Sequence, residues 1–139
     1  MENDVLIKVT GLQVIEETGD TIEMMARGKH YIRNNKHYLL YDEIEDEEQP
    51  KVKNIIKFND EFAEITRQGM VNGKLIFEKG KNNQSLYGTP FGDLLVEVVT
   101  KNIDLKSNDD ALNLKIDYEL YANNSKVSDS KIEIDVRAN

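Results

Sequence analysis

The 139-residue chain contains no cysteine. That absence removes disulfides, thiol nucleophiles and thiolate metal sites, and a reducing compartment is tolerated without cost. No run approaches the ~18 apolar residues of a membrane-spanning helix. The opening MENDVLIKV shows no basic segment followed by an apolar core. A soluble, unexported, cytoplasmic protein with no membrane partner is therefore expected. Basic charge is also scarce: 18 Lys and Arg stand against 26 Asp and Glu, a formal charge of −8. Nucleic acid is not an expected partner, because neutralising phosphates needs a basic face. Lys51, Lys53 and Lys57 share one strand face, but they read as part of a mixed, solvated surface. Helical periodicity is missing as well. No window of about 11 residues carries it, and Asn59 to Glu64 has room for one short turn.

What the chain has is alternation. In Leu112 to Leu120, LNLKIDYEL, every second residue is apolar. Leu112, Leu114, Ile116, Tyr118 and Leu120 therefore share one face of an extended strand and polar residues take the other. The same period predicts strands near residues 4–14, 20–33, 36–45, 51–58, 62–71, 74–79, 84–88, 93–105, 110–121 and 126–137. Asn34-Asn35 and Asn72-Gly73 are two-residue hairpin signals, since both positions of a type I′ turn need positive φ. Strands wet on one side must bury one continuous inner face, and successive hairpins favour closure over a sandwich. The expected fold is all-β: a closed, antiparallel, up-and-down barrel of about eight to ten strands. Residues 1–139 read as a single domain of a size that buries roughly 70% of its unfolded surface.

An ordered set of short motifs supports this. Tyr41-x-Glu43, Arg67-x-Gly69, YGTPFG at Tyr87 to Gly92, the strand LLVEVVT and the late strand LKIDYEL together resemble the YwiB-like family of small bacterial proteins. The resemblance spans nearly the whole chain. It implies a lipocalin-like (calycin) barrel, and it implies no activity, because that family is functionally uncharacterised.

Candidate site residues come from strand parity. If Asn34-Asn35 is a turn, Arg33 pairs with Lys36, Ile32 with His37, Tyr31 with Tyr38 and His30 with Leu39. Ile22, Met24, Ala26 and Ile32 put the even face inward, which turns both histidines, His30 and His37, into the barrel with Tyr41 and Glu43 further along. Arg67 shares a face with Ala63 and Ile65, and Glu43 is its expected counter-ion. Tyr87 is placed at the rim. The acidic run Glu45 to Glu48 lacks the spacing and glycine of a calcium loop. YGTPFG is neither a phosphate loop nor a nucleophile elbow. The five serines fall mostly in predicted turns, and none has the context of an activated hydroxyl.

No catalytic residue, metal site or cofactor is assigned. The reading is non-covalent binding of a small ligand in or at the mouth of the barrel, through His30, His37, Tyr41, Glu43, Arg67 and Tyr87. The alternative is a filled barrel that binds another protein with its outer surface. A third is a small enzyme using Glu43 and a histidine as acid and base. Oligomeric state has no signature in the sequence.

Overall fold

The computed structural model describes residues 3–11, 23–43, 52–69, 72–89 and 92–138, with the side chains of Glu43 and Thr89 outside that description. The alternating segments become ten strands: β1 (Asp4–Thr10), β2 (Glu23–Arg33), β3 (Lys36–Glu43), β4 (Val52–Phe58), β5 (Phe62–Gln68), β6 (Asn72–Glu78), β7 (Asn82–Thr89), β8 (Gly92–Ser107), β9 (Ala111–Ala122) and β10 (Ser125–Ala138). Among the described residues there is no helix. The short turn at Asn59 is held instead by its own side chain, whose Oδ1 accepts the Glu61 amide at 2.9 Å.

Every strand pairs antiparallel with its sequence neighbours, and β1 pairs with β10 from Val5 opposite Ala138 to Thr10 opposite Glu133, closing the barrel. Asn34 and Asn35 have φ of 54° and 63°, and Asn123 and Asn124 have 50° and 70°. Both pairs thus take the left-handed conformation that a tight hairpin between twisted strands requires. The turns at 34–35, 59–61, 79–81 and 108–110 share one end of the barrel. The C-terminal ends of β3, β5, β7 and β9 lie at the other. The thinnest seam is β6 to β7, with two paired positions, Asn72 with Gly88 and Gly73 with Tyr87.

The register stacks the inner face into layers. Ile32, His37, Phe58, Ala63 and Phe77 form one row across β2 to β6; His30, Leu39, Ile56, Ile65 and Leu75 form the next. The third row is Tyr41, Asn54, Arg67, Gly73 and Tyr87. Opposite them, Ile103, Ile116 and Ile132 align across β8, β9 and β10. Leu39, Ile56, Ile65 and Leu75 have at most 1% of their surface accessible, so no water-sized space adjoins them. Burial of such side chains is worth about 1.5–3 kcal/mol each.

Four expectations need correction. Asn72 and Gly73 are not a turn: they begin β6, and Asn72 closes the preceding bend by donating from Nδ2 to the Gly69 carbonyl at 2.8 Å. Ile32 has inward parity but is 67% exposed, because β2 there has run past β1, whose ladder with β2 stops at Asp4 and Lys29. The outward residues Lys57, Lys115, Asp117, Glu133 and Asp135 are half-buried. Their neighbours crowd them: Asn113 Nδ2 donates to Glu133 at 2.8 Å and Asp135 at 2.6 Å. The serines all sit in strands. Parity also shifts at bulges between Thr100 and Asn102 in β8 and between Lys126 and Ser128 in β10.

The face assignment can be checked on β9. Ile116 is fully buried and Lys115 points outward, so Ile116→Ala should cost roughly 2–5 kcal/mol and Lys115→Ala about 0.5 kcal/mol. Urea denaturation of the two variants measures this, and equal losses would mean that the faces are reversed.

Candidate functional site

The β2–β3 hairpin has the expected register, with His30 opposite Leu39 and Ile32 opposite His37. The two histidines therefore meet as diagonal neighbours. His30 Nε2 and His37 Nδ1 are 2.9 Å apart, so one ring N–H donates to the lone pair of the other. Their rings stack at 5.2 Å, and His37 stacks in turn on Phe58 at 5.0 Å. Burial, and then the neighbouring His37 ring, hold His30 below the ordinary imidazole pKa; burial does the same to His37.

The third inner row makes a second polar group. Arg67 Nη1 donates to the Tyr87 hydroxyl at 2.8 Å. The contact depends on Gly73, the cross-strand neighbour of both: a Cβ there would clash with the Tyr87 ring, 2.9 Å or less from three of its carbons. Asn54, one position along the row, is buried. It was not among the sequence candidates, although even parity on β4 with Ile56 and Phe58 was enough to turn it inward. Tyr41 is buried beside it, and Arg67 keeps partial exposure.

The structure thus divides the predicted cluster in two. His30 and His37 lie toward the end with Asn34-Asn35, while Tyr41, Arg67 and Tyr87 lie toward the opposite end. Four residues of strand, about 13 Å, separate His37 from Tyr41, and the apolar row of Leu39, Ile56, Ile65 and Leu75 fills the interval. The Glu43 side chain, expected beside Arg67, is outside the described residues, as are Ile22, Glu45 to Glu48, Lys51, Pro90 and Phe91.

Tyr118 belongs to neither predicted group. It meets Phe77 edge-on at 5.0 Å. Burial pushes its phenol up to about 12; the adjacent Ser130 opposes that rise and Tyr87 adds to it. Its hydroxyl and that of Thr100, its partner on β8, are buried without a hydrogen bond of normal geometry. Ser128 and Ser130 on β10 place their hydroxyls 2.6 Å apart. Among the described residues no three His, Cys, Asp or Glu side chains converge as a metal site would need.

The family described as "Domain of unknown function (DUF1934)" matches residues 7–134. The chain belongs to this family. The uncharacterized β-barrel protein YwiB of Bacillus subtilis (strain 168) is 28% identical over 123 residues, which is 87% of this chain and 85% of that one. The crystal structure of the ywiB protein from Bacillus subtilis superposes with a TM-score of 0.78 at 25% identity, covering 99% of this chain and 92% of that one. The resemblance read from the motifs is thereby confirmed, as is the closed antiparallel barrel.

The Arg67–Tyr87 contact should show in stability. Tyr87→Phe removes a hydrogen bond to a charged group and should cost roughly 1.5–3 kcal/mol. Gly73→Ala should cost at least as much, because the added methyl displaces the Tyr87 ring. Chemical denaturation that finds either variant unchanged would dissolve this arrangement.

The histidines set a pH dependence. The unfolded chain takes up protons at the ordinary imidazole value and the native pair at a lower one, so the unfolded state binds more protons between the two. Stability should hold above about pH 6.5 and fall as pH drops through that window. Thermal melts across this range should show a shallower fall in His37→Phe than in the parent.

Proposed function

We propose that this chain binds a small polar molecule non-covalently, in the cytoplasm, at the barrel end that carries Tyr41, Asn54, Arg67 and Tyr87. The barrel is read as lipocalin-like with its mouth, not its centre, as the binding place. The supporting observation is Arg67. Among the described residues it is the one charged side chain on the inner face, partly exposed and in contact with the Tyr87 hydroxyl. Turning an ionised group inward is costly, and a few convergent polar groups at a barrel mouth are the usual means of fixing a ligand's orientation. The packed row of Leu39, Ile56, Ile65 and Leu75 leaves the middle of the barrel no such role. The side chains would contribute hydrogen bonds and charge complementarity; none is assigned to bond breaking, and no metal, cofactor or nucleic acid enters the reading.

Native mass spectrometry of protein purified from its own host provides the test. A retained small molecule is expected in the parent and should be lost in Arg67→Met. A parent with no bound mass, indistinguishable from the variant, would end the reading.

A second reading has its own observation. On the outer wall of β1 to β5 a groove of about 860 Å³ has Met25, Leu40 and Ile55 among its lining, with Arg27, Lys29, Asp42 and Lys53 around them. Met25 is 70% exposed. Apolar surface of this kind, rimmed by charge on a filled barrel, suits contact with another protein. Met25→Asp separates the two readings: it should abolish association with a protein partner and leave any small molecule in place.

A further inference from the structure

The end of the barrel that holds the histidines has a geometry of its own. β2 pairs with β1 only as far as Lys29, opposite Asp4. One more backbone contact, from the His30 amide to the Asn3 carbonyl at 2.8 Å, follows. Beyond it, Tyr31, Ile32 and Arg33 have β3 as their single strand partner among the described residues. This overhang exposes the inward-parity Ile32. The inward side chain that ties this end of β2 to β3 is His30, through His37, whose ring stacks in turn on Phe58 of β4.

We propose that the His30–His37 pair is a proton-operated latch, which holds the overhanging end of β2 to β3 and releases it when both rings are charged. The proton count gives the logic. With both rings neutral, one N–H faces one lone pair and the contact is attractive. A first proton placed on an outer ring nitrogen leaves it intact, and adds charge to a hydrogen bond. A second proton fills the accepting lone pair. Two N–H groups then face each other at the 2.9 Å now occupied by a hydrogen bond, each on a cation, and the rings must part. Such a pair titrates in two separated steps that belong to the pair and not to either ring.

The surroundings do not relieve that repulsion. The charged and titratable groups within two register positions of the pair are Asp4 on β1, Lys29, Tyr31 and Arg33 on β2, Lys36 and Tyr38 on β3, Lys57 on β4 and Glu64 on β5, with the inward Tyr41 and Arg67 beyond the apolar row. All but those two have outward strand parity. Asp4 is paired with Lys29 and Glu64 with Lys74, while Lys57 lies over the Tyr38 ring. The inward neighbours in the two rows concerned, Ile32, Leu39, Phe58 and Ala63, do not titrate. Both pKa values are depressed, in keeping with a pair that resists charge until the medium is acidic. The opening is local because residues 31–33 carry no ladder to β1 among the described residues, so their release leaves the β1–β2 ladder of Glu23 to Lys29 in place.

The test is amide hydrogen exchange read residue by residue at about pH 7.5 and about pH 5, corrected for intrinsic rates, with NMR titration of the two imidazoles. Protection at Tyr31 to Tyr38 should fall by at least about tenfold at the lower pH, the equivalent of one pKa unit, while β9 keeps its protection. In His37→Phe, where a ring still stacks on Phe58 but the second base is gone, that fall should vanish. The imidazoles of the parent should titrate in two steps more than about one unit apart. Unchanged hairpin protection at the lower pH, an equal loss in β9, a single titration step near the ordinary value, or the same fall in His37→Phe would each overturn the latch. Should His37→Phe fail to fold, the parent's two-step titration and its exchange map decide.

Discussion

The apolar row of Leu39, Ile56, Ile65 and Leu75 is the constraint on which the rest of the molecule depends. Paired side by side across four strands and sealed from solvent, it cannot slip by one residue without turning four large side chains to water. Its register therefore fixes the rows on either side: the stack of His37 and Phe58 below, the row of Asn54, Arg67 and Tyr87 above. It also insulates them. Polar groups at the two ends have a packed hydrocarbon layer between them, so their electrostatics are set locally.

Each end solves the same problem, a polar side chain turned inward, by different means. Two histidines satisfy one another in a shared hydrogen bond and lie against an aromatic face. Arg67 reaches a phenol that can approach because the intervening strand carries no side chain at Gly73. The glycine thus acts on its neighbours' geometry while keeping ordinary strand pairing. In a barrel otherwise filled by Val, Ile, Leu and Phe, these departures from the apolar pattern mark where the chain has spent stability on something other than packing.

Much of this was legible in the sequence because strand parity is a local property. Alternation alone placed the ten strands and turned the inner residues of β9 to the core, and Asn34-Asn35 fixed the hairpin register well enough to predict the meeting of His30 with His37. The rest depends on how far strands are staggered around the barrel, which no local pattern records. Inward parity could not tell that Tyr87 would be the residue to reach Arg67. Asn72-Gly73 carries turn chemistry in a place where the chain uses Gly73 for clearance and Asn72 to close the bend before it. Ile32 follows the apolar rule and is exposed all the same, since parity says nothing about where the neighbouring strand stops. The bulges at Lys101 and Val127 were invisible for a related reason: an extra residue in one strand shows only against its partner.

The pairing of β1 with β10 has a consequence for how the chain is made. The first of the barrel's strands to be made has its outer edge covered by the last one, across nearly the full length of the barrel sequence. Until β10 emerges, β1 and β9 each present an unpaired edge, and the hydrocarbon interior has an open side. Synthesis proceeds at about 5–20 residues per second, so the nascent sheet spends seconds as an incomplete wall with sticky margins. The burden of that interval falls on solubility. An acidic chain, whose outward positions along β1 carry Asp4 and Lys8, is suited to it: like charge keeps nascent neighbours apart, and charged residues along a strand edge discourage pairing with another copy.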